Sequence, residues 1–327
     1  MLIQILILLV SLVTLVWSAD KFVFGASSLA RNFGISPMVI GLTIVAMGSS
    51  APEMMIAATA SLDGNPNLAI GNAIGSNIAN IALVLGITAL FQPLMVSSST
   101  VKREIPLILF ITALAYWMLS DSYFGFNEGL SLMIGFFVYI IALLLITLRA
   151  TKNTAVDDPL IIEAEQEVPE AVSKPISILW LVVGMILLPM SAVYLVDSSV
   201  FIAKAFGISD LVIGLTVVAI GTSLPELAAS IMSIIKKEDD LALGSIIGSN
   251  IFNIFAVLSL AGLIAPGEID SDAANRDAPY MLGVTVLLFI LCFTRRAGSF
   301  RITRVKGMLL IGAFVAYQLL LFSQLKQ

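Results

Sequence analysis

The sequence predicts an all-α polytopic membrane protein with ten transmembrane helices in two inverted five-helix repeats, and three observations lead to this fold class. Hydrophobic residues make up 59% of the 327 residues and charged residues 12%, with a mean hydropathy of +1.03. A soluble chain of this length needs far more charge on its surface. In addition, a stretch of 54 residues occurs twice, and lysine and arginine concentrate in alternate loops.

Each apolar run is interpreted as one helix, because about 20 apolar residues cross the hydrocarbon core of a bilayer. The runs predict helices at 2–29, 35–62, 68–91, 103–120, 127–148, 176–206, 208–235, 241–264, 279–294 and 305–323.

A polar stretch separates the two sets of five helices. Hydropathy falls between residues 149 and 175, where six acidic residues lie: Asp157, Asp158, Glu163, Glu165, Glu167 and Glu170. We interpret this stretch as a solvated linker, with a weak calcium-sensing patch as the alternative. The linker divides the chain into a first repeat at 1–148 and a second at 176–327.

The repeated stretch covers residues 33–86 and returns at 206–259. Sliding the chain by 173 residues makes 27 of 54 positions identical without a gap. The matches fall mainly at polar, glycine and proline positions: Gly34/Gly207, Gly48/Gly221, Ser50/Ser223, Pro52/Pro225, Glu53/Glu226, Gly75/Gly248, Ser76/Ser249, Asn77/Asn250 and Asn80/Asn253. Because each repeat has an odd number of crossings, the second copy enters the membrane upside down. Inverted repeats of this kind are a transporter architecture, with the binding site near the midplane.

The distribution of basic residues predicts the orientation, since cytoplasmic loops collect lysine and arginine. The loops after the odd-numbered predicted helices hold thirteen of them: Arg31, Lys102, Arg103, Arg149, Lys152, Lys174, Lys236, Lys237, Arg295, Arg296, Arg301, Arg304 and Lys306. The other face holds three, Lys204, Arg276 and Lys326. We therefore predict that both termini lie on the non-cytoplasmic side, that the acidic linker is cytoplasmic, and that the protein resides in a bacterial cytoplasmic (inner) membrane.

Two glutamates lie well inside apolar segments, at repeat-equivalent positions. Glu53 and Glu226 each follow a proline. Ionised side chains are expensive in a bilayer and usually mark a functional site. Pro52 and Pro225 lack an N–H group, so the carbonyl four residues earlier loses its helical partner and is free to bind a cation. A pair of structural carboxyl groups is the alternative.

Polar side chains of the predicted helices at 68–91 and 241–264 complement these glutamates. Their runs read GNAIGSNIAN and GSIIGSNIFN, in which glycines four apart form seams for close helix packing. Asn77 and Asn250 are expected to hydrogen-bond the broken helices. Histidine is absent and the one cysteine, Cys292, lies in an apolar run, so the available ligands are oxygens. Hard oxygen ligands suit calcium and sodium and disfavour zinc or copper.

At these motifs the sequence resembles the cation/calcium exchanger superfamily, most closely its bacterial calcium/sodium antiporter branch. The signatures G-T/S-S-x-P-E and G-x-x-x-G-S-N occur twice, at 48–53, 221–226, 71–77 and 244–250. The resemblance implies ten helices, ion sites at the centre, and alternating access by sliding of the first and sixth helices. By position, it implies that the metal ligands are Glu53, Glu226, Ser49, Ser50, Thr222, Ser223, Ser76, Ser249, Asn80 and Asn253, with the backbone carbonyls of Ala46 and Ala219.

The leading functional hypothesis is therefore a secondary antiporter that exchanges Ca²⁺ for Na⁺ through a shared midplane site. Some members of the superfamily carry aspartate where this chain has Asn253, which argues against potassium-dependent exchange. A proton/calcium antiporter is the first alternative and a passive cation channel the second. We predict no enzyme activity and no cofactor. The expected partners are inorganic cations and the lipid bilayer, without nucleic acid or an obligate protein partner.

Overall fold

A computed structural model describes residues 1–96, 100–153, 173–206, 219–293 and 300–324. Almost all of these residues are helical. The first half contains α1 (Leu2–Phe33), α2 (Pro37–Ser49), α3 (Ala51–Leu62), α4 (Pro66–Phe91), α5 (Ile105–Leu119) and α6 (Phe126–Asn153). The second contains α7 (Lys174–Ala205), α8 (Ala219–Thr222), α9 (Leu224–Ile235), α10 (Asp239–Ile264), α11 (Ala273–Phe293) and α12 (Arg304–Gln324). The acidic residues of the predicted linker lie outside the described residues.

Seven of the described helices are long and apolar enough to cross a membrane. The count rises to eight if α2 and α3, which meet at an angle of 47°, form one bent span. By contrast, α5 has 15 residues and α9 has 12. The protein is thus a mostly helical membrane protein, and the count of ten spans stays a prediction.

Two small antiparallel sheets connect the halves of the chain, a feature that the sequence analysis did not predict. Strand β1 (Leu94–Val96) pairs with β4 (Phe300–Ile302), with Leu94 opposite Ile302. Strand β2 (Tyr123–Phe124) pairs with β3 (Gly267–Glu268). Each sheet joins a loop of the first half to a loop of the second, and the pairing satisfies backbone groups that no helix uses.

The centre of the molecule is built from α4 and α10. The most apolar window of α10 is 100% buried and that of α4 is 78% buried, whereas the corresponding windows of α1, α6 and α12 are only 17–22% buried. The outer helices therefore present their apolar side chains outward, as a surface in contact with lipid requires. The repeated motifs lie on α2 to α4 and α8 to α10, at the inner side of this arrangement.

Helices α1 and α7 pack closely on each other through glycines. A Cβ atom added at Gly25 of α1 would lie 2.8 Å from the carbonyl oxygen of Ser177, and one added at Gly184 of α7 would lie 2.6 Å from Cα of Phe22. Such distances leave no room for a side chain, so the two backbones approach as small-residue seams allow in membrane helices.

Ion pairs connect α1 to the loop between α9 and α10. A guanidinium nitrogen of Arg31 lies 2.9 Å from Oε1 of Glu238, and Nζ of Lys236 lies 2.6 Å from Oδ1 of Asp20. Asp20 also pairs with Lys21 at 3.1 Å. All of these side chains are partly exposed, so each pair contributes little, at most about 1 kcal/mol.

The glycine packing gives a first prediction. Gly25→Ala should lower the thermal stability of the purified protein in detergent, because the new methyl group meets the α7 backbone, at a cost of about 1–3 kcal/mol. The matched variant Gly312→Ala lies on α12, where an added Cβ meets no described atom within 4 Å. It should keep or slightly raise stability, since alanine favours helix by about 1 kcal/mol over glycine. Equal unfolding temperatures for the two variants, measured by fluorescence-detected size exclusion after heating, would contradict this account.

Candidate cation-binding site

Both repeats break their helix at the serine that precedes the x-Pro-Glu sequence. Ser50 has φ −88° and ψ 10° at the junction of α2 and α3, and Ser223 has φ −92° and ψ 5° at the junction of α8 and α9. The prolines that follow begin the second half-helix, where a missing N–H costs nothing. The break therefore follows from local sequence in each repeat.

Each glutamate lies in the first turn of its half-helix and is fully buried. Glu53 belongs to α3 and Glu226 to α9, and both are 0% exposed. The positive end of the helix dipole favours a negative group at this position. Ser50, three residues before Glu53, donates a hydrogen bond to Glu226 and so places the two helix starts next to each other. The structure thus brings together the two carboxyl groups that the sequence placed 173 residues apart.

Hydrogen bonds of serine hydroxyl groups connect the two repeats beside the glutamates. Ser50 Oγ donates a hydrogen bond to Glu226 Oε1 at 3.2 Å. Ser49 Oγ lies 3.3 Å from Ser249 Oγ and also donates to the Ala46 carbonyl at 3.3 Å. All of these side chains are buried. The site is therefore shared between the repeats and does not exist within either one alone.

A glycine seam explains how Ser249 reaches Ser49. A Cβ added at Gly244 would lie 2.6 Å from the Met38 carbonyl oxygen, and one added at Gly248 would lie 2.7 Å from Cα of Leu42. The seam predicted for this pair of glycines is confirmed, with α2 as its partner helix. The seam predicted for Gly71 and Gly75 is not present among the described residues, because a Cβ added at either glycine meets no described atom within 4 Å. Because Ser249 follows Gly248 directly, the close approach of α10 to α2 brings its hydroxyl to the site.

The remaining side chains come from the centres of α4 and α10. Ser76 is 4% exposed, and Asn80, Ser249 and Asn253 are 0% exposed. Asn80 lies in a π-helical segment, Ala79–Val84, and Asn253 begins the matching segment, Asn253–Leu258. Such wider turns occur frequently at functional sites, because they rotate a side chain relative to the regular helix.

Several buried polar atoms of this centre have no hydrogen-bond partner in the part of the chain that the structure describes. They are both carboxyl oxygens of Glu53, Oε2 of Glu226, the side-chain amide atoms of Asn80 and Asn253, and Oγ of Ser223. Buried polar groups without partners destabilise a protein. A hard cation bound among these oxygens would compensate for their burial. The donor set, two carboxylates with neutral oxygens, fits calcium or sodium.

Three of the expected ligands need separate comment. The Ala46 carbonyl accepts the Ser50 backbone N–H at 3.0 Å and the Ser49 hydroxyl, so protein donors occupy it in this conformation. Ala219 is the first described residue of α8 and Thr222 the last residue of this helix, and Thr222 is partly buried. Thr222 lines the cavity described below and so lies at the edge of the site.

The role expected for Asn77 and Asn250 is not the one that the structure shows. Asn77 Nδ2 contacts Met281 Sδ at 3.5 Å, and Asn250 Nδ2 donates to the Ile246 carbonyl of its own helix at 2.8 Å. Instead, Asn72 Nδ2 donates to the Glu53 backbone carbonyl at 3.5 Å. Sequence reasoning missed Asn72 because its repeat equivalent is Ser245, so no identity in the repeat marked it.

A comparison with known families finds one match across both halves. The family described as "Sodium/calcium exchanger protein" matches residues 3–145 and 176–323. The putative antiporter CaxA of Alkalimonas amylolytica is 53% identical over 324 residues, which cover 99% of this chain and 100% of CaxA. Inner membrane protein YrbG of Escherichia coli (strain K12) is 41% identical and covers 98% of both chains.

Two further relatives are described by name as sodium/calcium exchangers. The sodium/calcium exchanger MaX1 of Methanosarcina acetivorans is 33% identical over 98% of this chain and 99% of its own. Among solved structures, the sodium-calcium exchanger NCX_Mj, soaked with Na⁺ and Ca²⁺, superposes with a TM-score of 0.80 and 32% identity. The superposition covers 96% of this chain and 97% of that one.

The geometry of the site gives a second prediction. Ca²⁺ should raise the unfolding temperature of the purified protein, since a ligand that binds only the folded state stabilises it. Glu53→Gln and Glu226→Gln should abolish this rise, because glutamine keeps the volume but removes the charge. Ser50→Ala should weaken Ca²⁺ affinity about fivefold to tenfold, because it removes a hydroxyl oxygen from the candidate ligands.

Ser233→Ala is the matched control for Ser50→Ala. Ser233 is equally buried, but its hydroxyl donates to the Ala229 carbonyl of its own helix at 2.8 Å. Its removal should leave the Ca²⁺-dependent rise intact. A full rise in either glutamine variant would show that the buried carboxyl pair does not bind the cation.

Proposed function

Because the chain belongs to the sodium/calcium exchanger family, we propose that it is a secondary active antiporter that exchanges Ca²⁺ for Na⁺ through one shared site. The family membership indicated by the two pairs of motifs is confirmed. The observation that carries the proposal is the buried pair Glu53 and Glu226, held at two helix breaks and connected across the repeats by Ser50. Among the relatives named above, CaxA is described as a putative antiporter, and MaX1 and NCX_Mj are described as sodium/calcium exchangers.

The proposed ligands surround this pair. The side chains are Glu53, Glu226, Ser49, Ser50, Thr222, Ser223, Ser76, Ser249, Asn80 and Asn253, with the Ala46 and Ala219 carbonyls. In the conformation described, two hydrogen bonds already link the repeats at this point, one between Ser49 and Ser249 and one from Ser50 to Glu226. Ion binding would replace these hydrogen bonds with metal–oxygen contacts, and it would give partners to the buried oxygens of Glu53, Asn80 and Asn253 that have none among the described residues.

Charge balance explains why one site serves both ions. Two carboxylates neutralise one Ca²⁺, and a nearly neutral core is much less costly to move through a low-dielectric interior than a charged one. The neutral oxygens around the pair exceed what two protons require, and this favours Na⁺ over H⁺ as the counter-ion. They also provide for a third Na⁺, which would leave the sodium-loaded core with net positive charge.

Alternating access is proposed to arise from movement of α1 and α7 against the helices that carry the motifs. These two helices pack tightly on each other through Gly25 and Gly184. They therefore form one unit, while their contact with the core includes the exposed ion pairs of Arg31 and Asp20. The unit would expose the site to one face of the membrane at a time.

Exchange of three Na⁺ for one Ca²⁺ predicts electrogenic transport. In proteoliposomes loaded with Na⁺, an inside-positive potential set with a potassium ionophore should speed Ca²⁺ uptake, because one net positive charge leaves per cycle. Glu53→Gln proteoliposomes should show no uptake at any potential. A rate of Ca²⁺ uptake that does not depend on the membrane potential would argue for two Na⁺ or two H⁺ per Ca²⁺. Uptake driven by an outward proton gradient without Na⁺ would establish the proton-coupled alternative, and single-channel currents would establish the channel.

We also propose the topology that the basic residues indicate: repeats at 1–148 and 176–327, a cytoplasmic linker at 149–175, and both termini on the other side of an inner membrane. In a Cys292→Ala background, Glu165→Cys should react with an impermeant thiol reagent only from the cytoplasmic side. Asp63→Cys, in the exposed turn between α3 and α4, is the matched control and should react only from the opposite side. The reverse pattern would invert the proposed orientation.

A further inference from the structure

A third carboxyl group lies beside the site, on α7. This helix and α1 form the unit that is proposed to move, which we call the outer unit. Asp197 belongs to α7, a 32-residue helix of mean hydropathy 2.4 in its most apolar window. It lies eight residues before the end of that helix at Ala205, which corresponds to about 12 Å. Its side chain is exposed. An ionisable residue this far inside a membrane helix normally faces a water-filled cavity and marks a pathway.

Asp197 lines a cavity of about 170 Å³ that borders the candidate site. The opposite wall contains Pro52 and Pro225, the residues that directly precede Glu53 and Glu226, together with the proposed ligand Thr222. Among the described residues that line this cavity, Asp197 is the one ionisable group, and the other walls are mainly apolar. The cavity thus joins one carboxylate on the outer unit to both helix breaks of the core.

Asp20 provides an internal comparison. It is the acidic residue of α1, and Lys236 and Lys21 neutralise it at 2.6 and 3.1 Å. Asp197, by contrast, makes no ion pair with any residue that the structure describes. An unneutralised charge within a cavity of low-dielectric walls concentrates cations there. The chemistry of a carboxylate suits the hard cations Ca²⁺ and Na⁺.

We propose that Asp197 is a cation-recruiting residue, which holds an incoming hydrated Ca²⁺ in the cavity between α7 and the broken helices before the ion reaches Glu53 and Glu226. The proposal rests on the proposed transport function. Because the energy of attraction scales with the charge of the ion, Asp197 favours Ca²⁺ over Na⁺ at this step. With the proposed topology, Asp197 lies in the non-cytoplasmic half of α7, since this helix runs outward from Lys174 to Ala205.

The test compares Asp197→Asn with Glu268→Gln in proteoliposomes of known orientation. Glu268 is an exposed acid of β3 with the same charge change, on the same predicted face and outside the cavity. At low ionic strength, Asp197→Asn should raise the KM for Ca²⁺ about fivefold from the non-cytoplasmic side, with a near-normal maximal rate and about a twofold change for Na⁺. The KM from the other side should not change. Added choline chloride should shrink the difference through screening.

A second variant separates charge from shape. Asp197→Cys in the Cys292→Ala background should lose Ca²⁺ affinity, regain it with a sulfonate-bearing thiol reagent, and lose more with a trimethylammonium-bearing one. Asp197→Glu should behave like the unsubstituted protein. Equal effects of the two reagents would assign Asp197 a structural role and overturn the proposal, as would an unchanged KM in Asp197→Asn. If the glutamine variants of Glu53 and Glu226 still transport Ca²⁺, the proposed function fails, whatever Asp197 does.

Discussion

Burial of two carboxyl groups, Glu53 and Glu226, is the constraint on which the rest of the structure depends. Transfer of an ionised carboxylate from water to a protein interior costs several kcal/mol even after relaxation. Both side chains are nevertheless 0% exposed. The surrounding architecture reduces this cost in three ways: each glutamate lies at the start of a half-helix, the Ser50 hydroxyl donates to Glu226, and a bound cation would neutralise the pair. An unbroken helix would not place a helix start at either glutamate.

The helix breaks and the glycine seams act together to assemble the pair. A proline after the break ends the regular hydrogen bonding, and the new half-helix directs its N-terminus toward the molecular centre. Gly244 and Gly248 then let α10 contact the first half-helix of the other repeat. Close contact of backbones leaves little space for water, so the serine hydroxyls meet across the repeats without solvent between them. Chemistry and packing are therefore encoded by the same short motifs.

Much of this centre could be predicted from the sequence, because it depends on local motifs that occur twice. Two identical Pro-Glu pairs at equivalent positions indicate a shared site, and this inference does not depend on the structure of the connecting loops. The hydrogen bonds of Asn72, Asn77 and Asn250 could not be predicted in this way, since helical spacing places several amides within reach of a break and the local rotation decides which one bonds. The π-helical segments at Ala79–Val84 and Asn253–Leu258 alter that rotation.

The short strands show a different limit. Tyr123–Phe124 and Gly267–Glu268 are two-residue segments, too short for any periodic pattern, and their pairing depends on where the helices place the two loops. The number of membrane spans is limited in the same way, because hydropathy identifies apolar runs and does not show where a helix is broken. A 12-residue helix such as α9 is too short to cross a membrane by itself, so it counts as part of a span only together with the residues before it.

The outer helices show how an inverted repeat becomes functionally asymmetric in one conformation. Arg31 and Asp20 of α1 are paired with Glu238 and Lys236, whereas Asp197 of α7 faces a cavity without a charged partner among the described residues.

The α1 ion pairs are partly exposed, and each contributes about 1 kcal/mol or less to stability. In the proposed mechanism these pairs would break during each transport cycle, and they would bias one conformation without trapping the protein in it. A buried pair would be too costly to separate at each turnover. Weak, partly exposed ion pairs on α1 and buried candidate ligands in the core are what the proposed mechanism of repeated movement around a fixed site requires.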